Sequence, residues 1–170
     1  YIFQGLAKYV RGKYLTDPFA GRQDLMNWAN KNGAKRVNGY DIDPAYADGH
    51  AVKLNDTLLN PQAYDFVITN PPYLNINKAS KATKEKYFNG SDFEDLYQLS
   101  LAAMRDSKEG IIIVPVNFLS ATHSRKIRRL FFDRFHIVEM NYFRQQVFPD
   151  TTYNVIAFYY RLWQKNENQS

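Results

Sequence analysis

Read only as apolar and polar positions, the chain alternates short apolar runs with amphipathic stretches from end to end. That is the pattern of an α/β domain on a mostly parallel sheet. No internal repeat is present. Helices are expected over residues 3–10, 24–32, 92–107 and 120–132, the third capped by Ser91 or Asp92 and stopped by Gly110. Strands are expected over 13–18, 36–42, 51–54, 64–69, 111–116, 136–142 and 153–163. Residues 111–116 are so uniformly apolar and β-branched that they should form a central strand buried on both faces. Residues 74–90, rich in lysine and without an apolar period, read as a mobile loop, and a polar tail starts at Gln164.

With 170 residues and 45% hydrophobic content, the chain is long enough for one folded domain and short for two. Lys and Arg outnumber Asp and Glu by 22 to 17, and aromatic residues make up 16%. A basic chain with interleaved rings favours a polyanion whose bases can be stacked upon, although a net charge of +5 is a weak signal alone. Cysteine is absent, which excludes a disulfide framework, a thiolate zinc site and a thiol nucleophile. His50, His123 and His136 have no ligand spacing, so no metal is expected. No apolar run is long enough to span a bilayer, and Tyr1-Ile2-Phe3-Gln4 is neither a signal peptide nor a start at Met. These features point to a cytoplasmic setting and to a chain trimmed from something longer.

Four strand ends carry unusual residues, and the carboxyl ends of parallel strands are where ligands bind. Asp17-Pro18-Phe19-Ala20-Gly21 forms a small-residue turn, which by itself also fits an ordinary strand-to-helix connection. In Asp41-Ile42-Asp43-Pro44, Asp41 is suited to accept from ribose hydroxyls, and Asp43 equally suits a helix N-cap. Asp56, after Asn55, offers an acceptor for an adenine amino group or simply belongs to a surface turn. In Asn70-Pro71-Pro72-Tyr73 two prolines fix the backbone and remove two donors, leaving acceptors and a ring.

In this order the four pieces resemble class I S-adenosylmethionine-dependent methyltransferases, specifically the DNA adenine-N6 enzymes of the gamma arrangement found in bacterial restriction-modification. The segments DLYQLSLAAM, GIIIVPVNFLS and VFPDTTYNVIAFYYR are similar to that family's later motifs. The resemblance implies a Rossmann-like seven-stranded sheet, mostly parallel with an antiparallel last strand and helices on both faces. It implies an S-adenosylmethionine site built from Asp17, Phe19, Ala20, Gly21, Asp41, Ile42, Asp56 and Asn70. Catalysis would fall to Asn70, Pro71, Pro72, Tyr73 and Phe148. Asn70 and the Pro71 carbonyl would hold both hydrogens of a target amine, with its lone pair aimed at the sulfonium methyl. Tyr73 and Phe148 would sandwich a base flipped out of DNA, stacking being worth about 1–3 kcal/mol per base.

Two departures modify this expectation. The family's turn usually continues Gly-x-Gly, whereas here Gln23 stands at the second glycine beside Arg22, which implies crowding at the cofactor's methionine part. Residues 1–163 would be the catalytic domain and 164–170 a tail, with no recognition domain in the chain, so sequence reading would fall to a removed region or a partner subunit. Lys78–Lys86 and the Arg125–Arg129 cluster could meet phosphates or could be solvated charge. Cytosine-C5 chemistry is excluded by the missing cysteine. Cytosine N4, ribosomal RNA guanine N2 and a protein glutamine amide stay open as targets, as does an inactive binding module.

Overall fold

The computed structural model describes residues 2–148 and 151–164, with the backbone alone for 145–148 and 151–153. One sheet contains β1 (Tyr14–Asp17), β2 (Arg36–Asp41), β3 (Val52–Leu54), β4 (Tyr64–Thr69), β5 (Ser107–Pro115), β6 (Phe135–Phe148) and β7 (Thr151–Leu162). Their spatial order is β3-β2-β1-β4-β5-β7-β6. The pairs among β1 to β5 are parallel, and β7 runs antiparallel to both β5 and β6. This is the Rossmann-like class I methyltransferase fold that the motifs implied, including the antiparallel last strand.

The apolar run in β5 explains the two layers. Ile111 and Ile113 point to one face, where they join Phe3, Leu6, Val10 and Ala29. That face is covered by α1 (Ala7–Val10) and α2 (Asp24–Lys31). Ile112 and Val114 point to the other face and join Tyr97, Leu101, Ile127 and Phe131. A short helix, α3 (Lys81–Thr83), lies in the connection after β4, and α4 (Leu96–Ala103) and α5 (Arg125–Arg134) cover this second face. Each of these large apolar side chains contributes roughly 1.5–3 kcal/mol on burial.

Several boundaries differ from expectation, each for a local reason. The first helix begins only at Ala7, because Gly5 adopts φ 81° and interrupts any helix from Phe3. The third expected helix starts at Leu96, because Asp95 rather than Ser91 or Asp92 accepts the Tyr97 amide at 3.0 Å. Gly110 does not stop that helix; it lies inside β5, where the Tyr160 ring occupies the space a side chain would need. The fourth helix is displaced to Arg125–Arg134, preceded by a 3₁₀ turn at Thr122–Ser124.

Residues 74–90 are not the featureless loop expected from their composition. They contain a 3₁₀ turn (Ile76–Lys78), α3 and a π-helical turn (Lys84–Phe88). Asn75 and Ser80 cap the first two through side-chain oxygens, accepting from the amides of Asn77 and Thr83. Phe88 anchors the last in the core. Beyond the Pro115↔Val155 rung, β6 and β7 continue as a two-stranded ribbon to Phe148↔Thr151. Phe148 therefore stands at the ribbon's tip, and its side chain lies outside the described residues.

A methyl group at Gly110 would sit 2.7 Å from both the Tyr160 ring and the Val67 carbonyl oxygen. Gly110→Ala is expected to lower stability by about 1–3 kcal/mol, the usual cost of overpacking, as measured by urea denaturation.

Candidate active site

The carboxyl ends of β1 and β4 are joined by a buried hydrogen bond in which the Thr69 hydroxyl donates to Asp17 Oδ1 at 2.6 Å. The same oxygen accepts the Phe19 amide at 3.0 Å, which bends the chain out of β1. Burial pushes the Asp17 carboxyl up to about 7, although the bonds from Thr69 and Phe19 pull it down; neighbouring Asp41 pushes it up further.

From Asp17 the chain turns toward α2. The Ala20 amide donates to the Tyr40 carbonyl at 2.9 Å, and the Gly21 amide donates to Asp41 Oδ2 at 2.8 Å. The other Asp41 oxygen accepts the Asp43 amide at 2.8 Å. Asp41 thus braces the turn from β2 while both its oxygens retain free lone pairs. Gly39 allows the close approach, since a Cβ there would lie 2.8 Å from Ala20 Cβ and from Met26 Sδ. Gln23 has φ 68°, the left-handed conformation that favours glycine. A side chain thus stands where the backbone has a shape that suits glycine.

These turns enclose a cleft of about 210 Å³ lined by Phe19, Asp41, Ile42, Asp56, Pro72 and Tyr87, among others. Leu58 and Leu96 complete its apolar walls. An apolar slot with carboxylates at its edge suits a nucleoside, with rings against the walls and hydroxyl or amino donors on the acids. Among the expected cofactor residues, Phe19, Asp41, Ile42 and Asp56 come together here. Asp17 and Ala20 are instead buried, and Gly21 is tied to Asp41. Asp56 is already engaged: Oδ1 accepts the Leu58 amide at 3.2 Å and Oδ2 accepts the Tyr87 hydroxyl at 2.7 Å.

Asn70 is exposed just past β4, and its Oδ1 lies 2.7 Å from the Tyr73 hydroxyl. That hydroxyl is also 3.0 Å from the Ile113 carbonyl, and with one hydrogen it donates to one of the two at a time. Burial pushes the Tyr73 phenol far above its usual range, so it remains a donor. The Tyr73 ring meets Tyr97 edge-on at 6.2 Å. It also lines a second pocket, of about 280 Å³, with Lys78, Asp95, Asn117 and His123. Pro72 lines one pocket and Tyr73 the other, so Asn70-Pro71-Pro72-Tyr73 lies between them.

Residues 12–148 match the family model of the Eco57I restriction-modification methylase. The chain belongs to that family. No curated protein matches it. Among solved structures, the Eco57I-type fold here is similar to protein 1320 of Thermoplasma acidophilum, with TM-score 0.67 and 16% identity, covering 97% of this chain and 85% of that one. A Pyrococcus horikoshii protein, provisionally named an RNA methyltransferase, gives TM-score 0.65 and 16% identity over 95% of this chain and 81% of its own. The M protein of the type I restriction enzyme EcoKI gives TM-score 0.61 and 16% identity over 94% of this chain, which spans only 41% of the M protein. At such identities the likeness concerns the fold.

Two site residues lay outside the sequence reading. Thr69 ends an apolar run and carried no motif signal beyond its place before Asn70. Tyr87 sits in a lysine-rich stretch with no period to place it.

Relieving the left-handed strain, worth about 1–2 kcal/mol for a residue with a Cβ, should make Gln23→Gly more stable by roughly 1 kcal/mol in chemical denaturation. Asp17 predicts a pH dependence. Its folded value of about 7 lies above the ordinary 3.8, so the folded state binds the extra proton between them. Stability should therefore fall as pH rises from about 4 to 7, and Asp17→Asn should flatten that part of a denaturation-versus-pH curve.

Proposed function

We propose that this Eco57I-family methylase transfers a methyl group from S-adenosylmethionine to the exocyclic N6 of an adenine flipped out of DNA. Support comes chiefly from one observation, that Pro72 lines the apolar, carboxylate-edged cleft while the next residue, Tyr73, lines the second pocket. The family's restriction-modification membership favours DNA over RNA or protein.

Phe19, Ile42 and Leu58 would hold the cofactor's purine, Asp41 its ribose hydroxyls and Asp56 its amino group. When bound, S-adenosylmethionine supplies a sulfonium methyl open to in-line attack by an amine. The chain's own residues then do the positioning. Asn70 Oδ1 and the Pro71 carbonyl oxygen accept the two amine hydrogens and turn the nitrogen lone pair toward the cleft. No prior deprotonation is needed, because the surplus proton leaves the nitrogen for solvent after transfer. Tyr73 offers one stacking face, and we assign the other to Phe148 at the ribbon tip. Residues 1–163 act as the catalytic domain, and sequence selection comes from a further domain or a partner. Neither a membrane-spanning helix nor a cluster able to hold a metal occurs among the described residues.

Tritiated cofactor offered with adenine-containing DNA, adenine-free DNA, RNA or protein tests the assignment. Label is expected only in adenine-containing DNA; label in RNA or protein instead would reassign the substrate. Asn70→Ala is expected to cut transfer by about 100-fold or more, typical for loss of a positioned polar group in an active site.

A further inference from the structure

Residues 76–88, which fill the connection between Tyr73 and α4, are tied down at both ends. At the start, Asn75 bridges Asp95, the Ile76 amide donates to the Glu94 carbonyl at 2.7 Å and the Leu74 amide donates to Asp95. At the end, Phe88 is buried and its carbonyl accepts the Ser91 amide. Immediately before that anchor, Tyr87 crosses to the opposite wall of the cleft, where its hydroxyl donates to Asp56 Oδ2 at 2.7 Å. The Lys86 ammonium lies 3.4 Å from the same oxygen. Lys86 is half exposed, and an ion pair of that kind fixes little.

The terminal torsion of a carboxylate is soft, so an unheld Asp would swing freely. Asp56 is held from both sides, by the Leu58 amide on one oxygen and Tyr87 on the other. A carboxylate has about four acceptor sites, and these two bonds leave others available. We propose that Tyr87 is a cofactor-binding residue: its ring closes the cleft, and its hydroxyl aims Asp56 at the amino group of the cofactor's adenine. This rests on the reading of the cleft as an S-adenosylmethionine site. It gives the lysine-rich connection a role in discriminating the cofactor's base. The connection also reaches the second pocket through Lys78.

Calorimetry on the full chain separates the possibilities, using S-adenosylhomocysteine and S-inosylhomocysteine, whose purine carries a carbonyl in place of the amino group. The wild type is expected to prefer the adenosyl compound tenfold or more. Tyr87→Phe keeps the ring and loses the hydroxyl; it should weaken the adenosyl compound about fivefold and shrink the preference below threefold. Tyr87→Ala should weaken both compounds further. If Tyr87→Phe binds both compounds as the wild type does, Tyr87 has no such role while the cofactor site stands. If the folded wild type binds neither, the cofactor site itself is overturned and this inference with it.

Discussion

The site is laid out around one buried hydrogen bond, from the Thr69 hydroxyl to the Asp17 carboxylate, which ties the ends of the two central strands. From Asp17 the chain leaves toward α2, on the face that holds Ala29. From Thr69 it leaves through Asn70 toward α4, on the face that holds Tyr97 and Leu101. Because the two connections depart to opposite faces, a crevice opens between them at the strand ends, the place where open α/β sheets bind ligands. Together with the β1–β4 pairing beneath it, that tie sets the distance between the cleft and the Asn70 turn. Burial favours the neutral form of this carboxyl, and the bonds from Thr69 and the Phe19 amide partly offset that by favouring the charged one.

Much of this was legible in the residues because strong signals coincided. The run Ile111-Ile112-Ile113-Val114 is apolar on both parities, which only a strand covered on two faces tolerates. Tyr64–Thr69 was bounded without error, since the turn-forming Asn60-Pro61 lies just before it and a proline pair follows. Other features were hidden because they depend on distant partners. Gly110 looks like a helix terminator until Tyr160, fifty residues on, is seen lying across it. Asp95 was passed over as a cap because nothing local shows that its carboxylate also receives the Leu74 amide. The Lys78–Lys86 stretch has the composition of a loop, and its turns are held by side-chain caps and a single buried ring, not by an apolar stripe.

Gln23 shows the limit of reading motifs as letters. A glycine pattern describes a backbone conformation, and that conformation persists here, at φ 68°, under a residue that resists it. The turn is imposed by its surroundings: Asp41 holds Gly21, the Tyr40 carbonyl holds Ala20, and Gly39 leaves room beneath. The strain of a side chain in this conformation is therefore local, and the turn around it is fixed by other residues.

The hydroxyl of Tyr73 lies against the amide oxygen of Asn70. With its one hydrogen divided between Asn70 and the Ile113 carbonyl, that hydroxyl fills at most one of the two lone pairs on the Asn70 oxygen, and an arriving donor finds the other open. On the proposed reading, an amine engaging Asn70 and Pro71 together would make two bonds there, whereas a base edge without donors would make none. A hydroxyl able to turn from Asn70 to the Ile113 carbonyl would then let the proposed site free its amide oxygen without leaving the phenol unpaired.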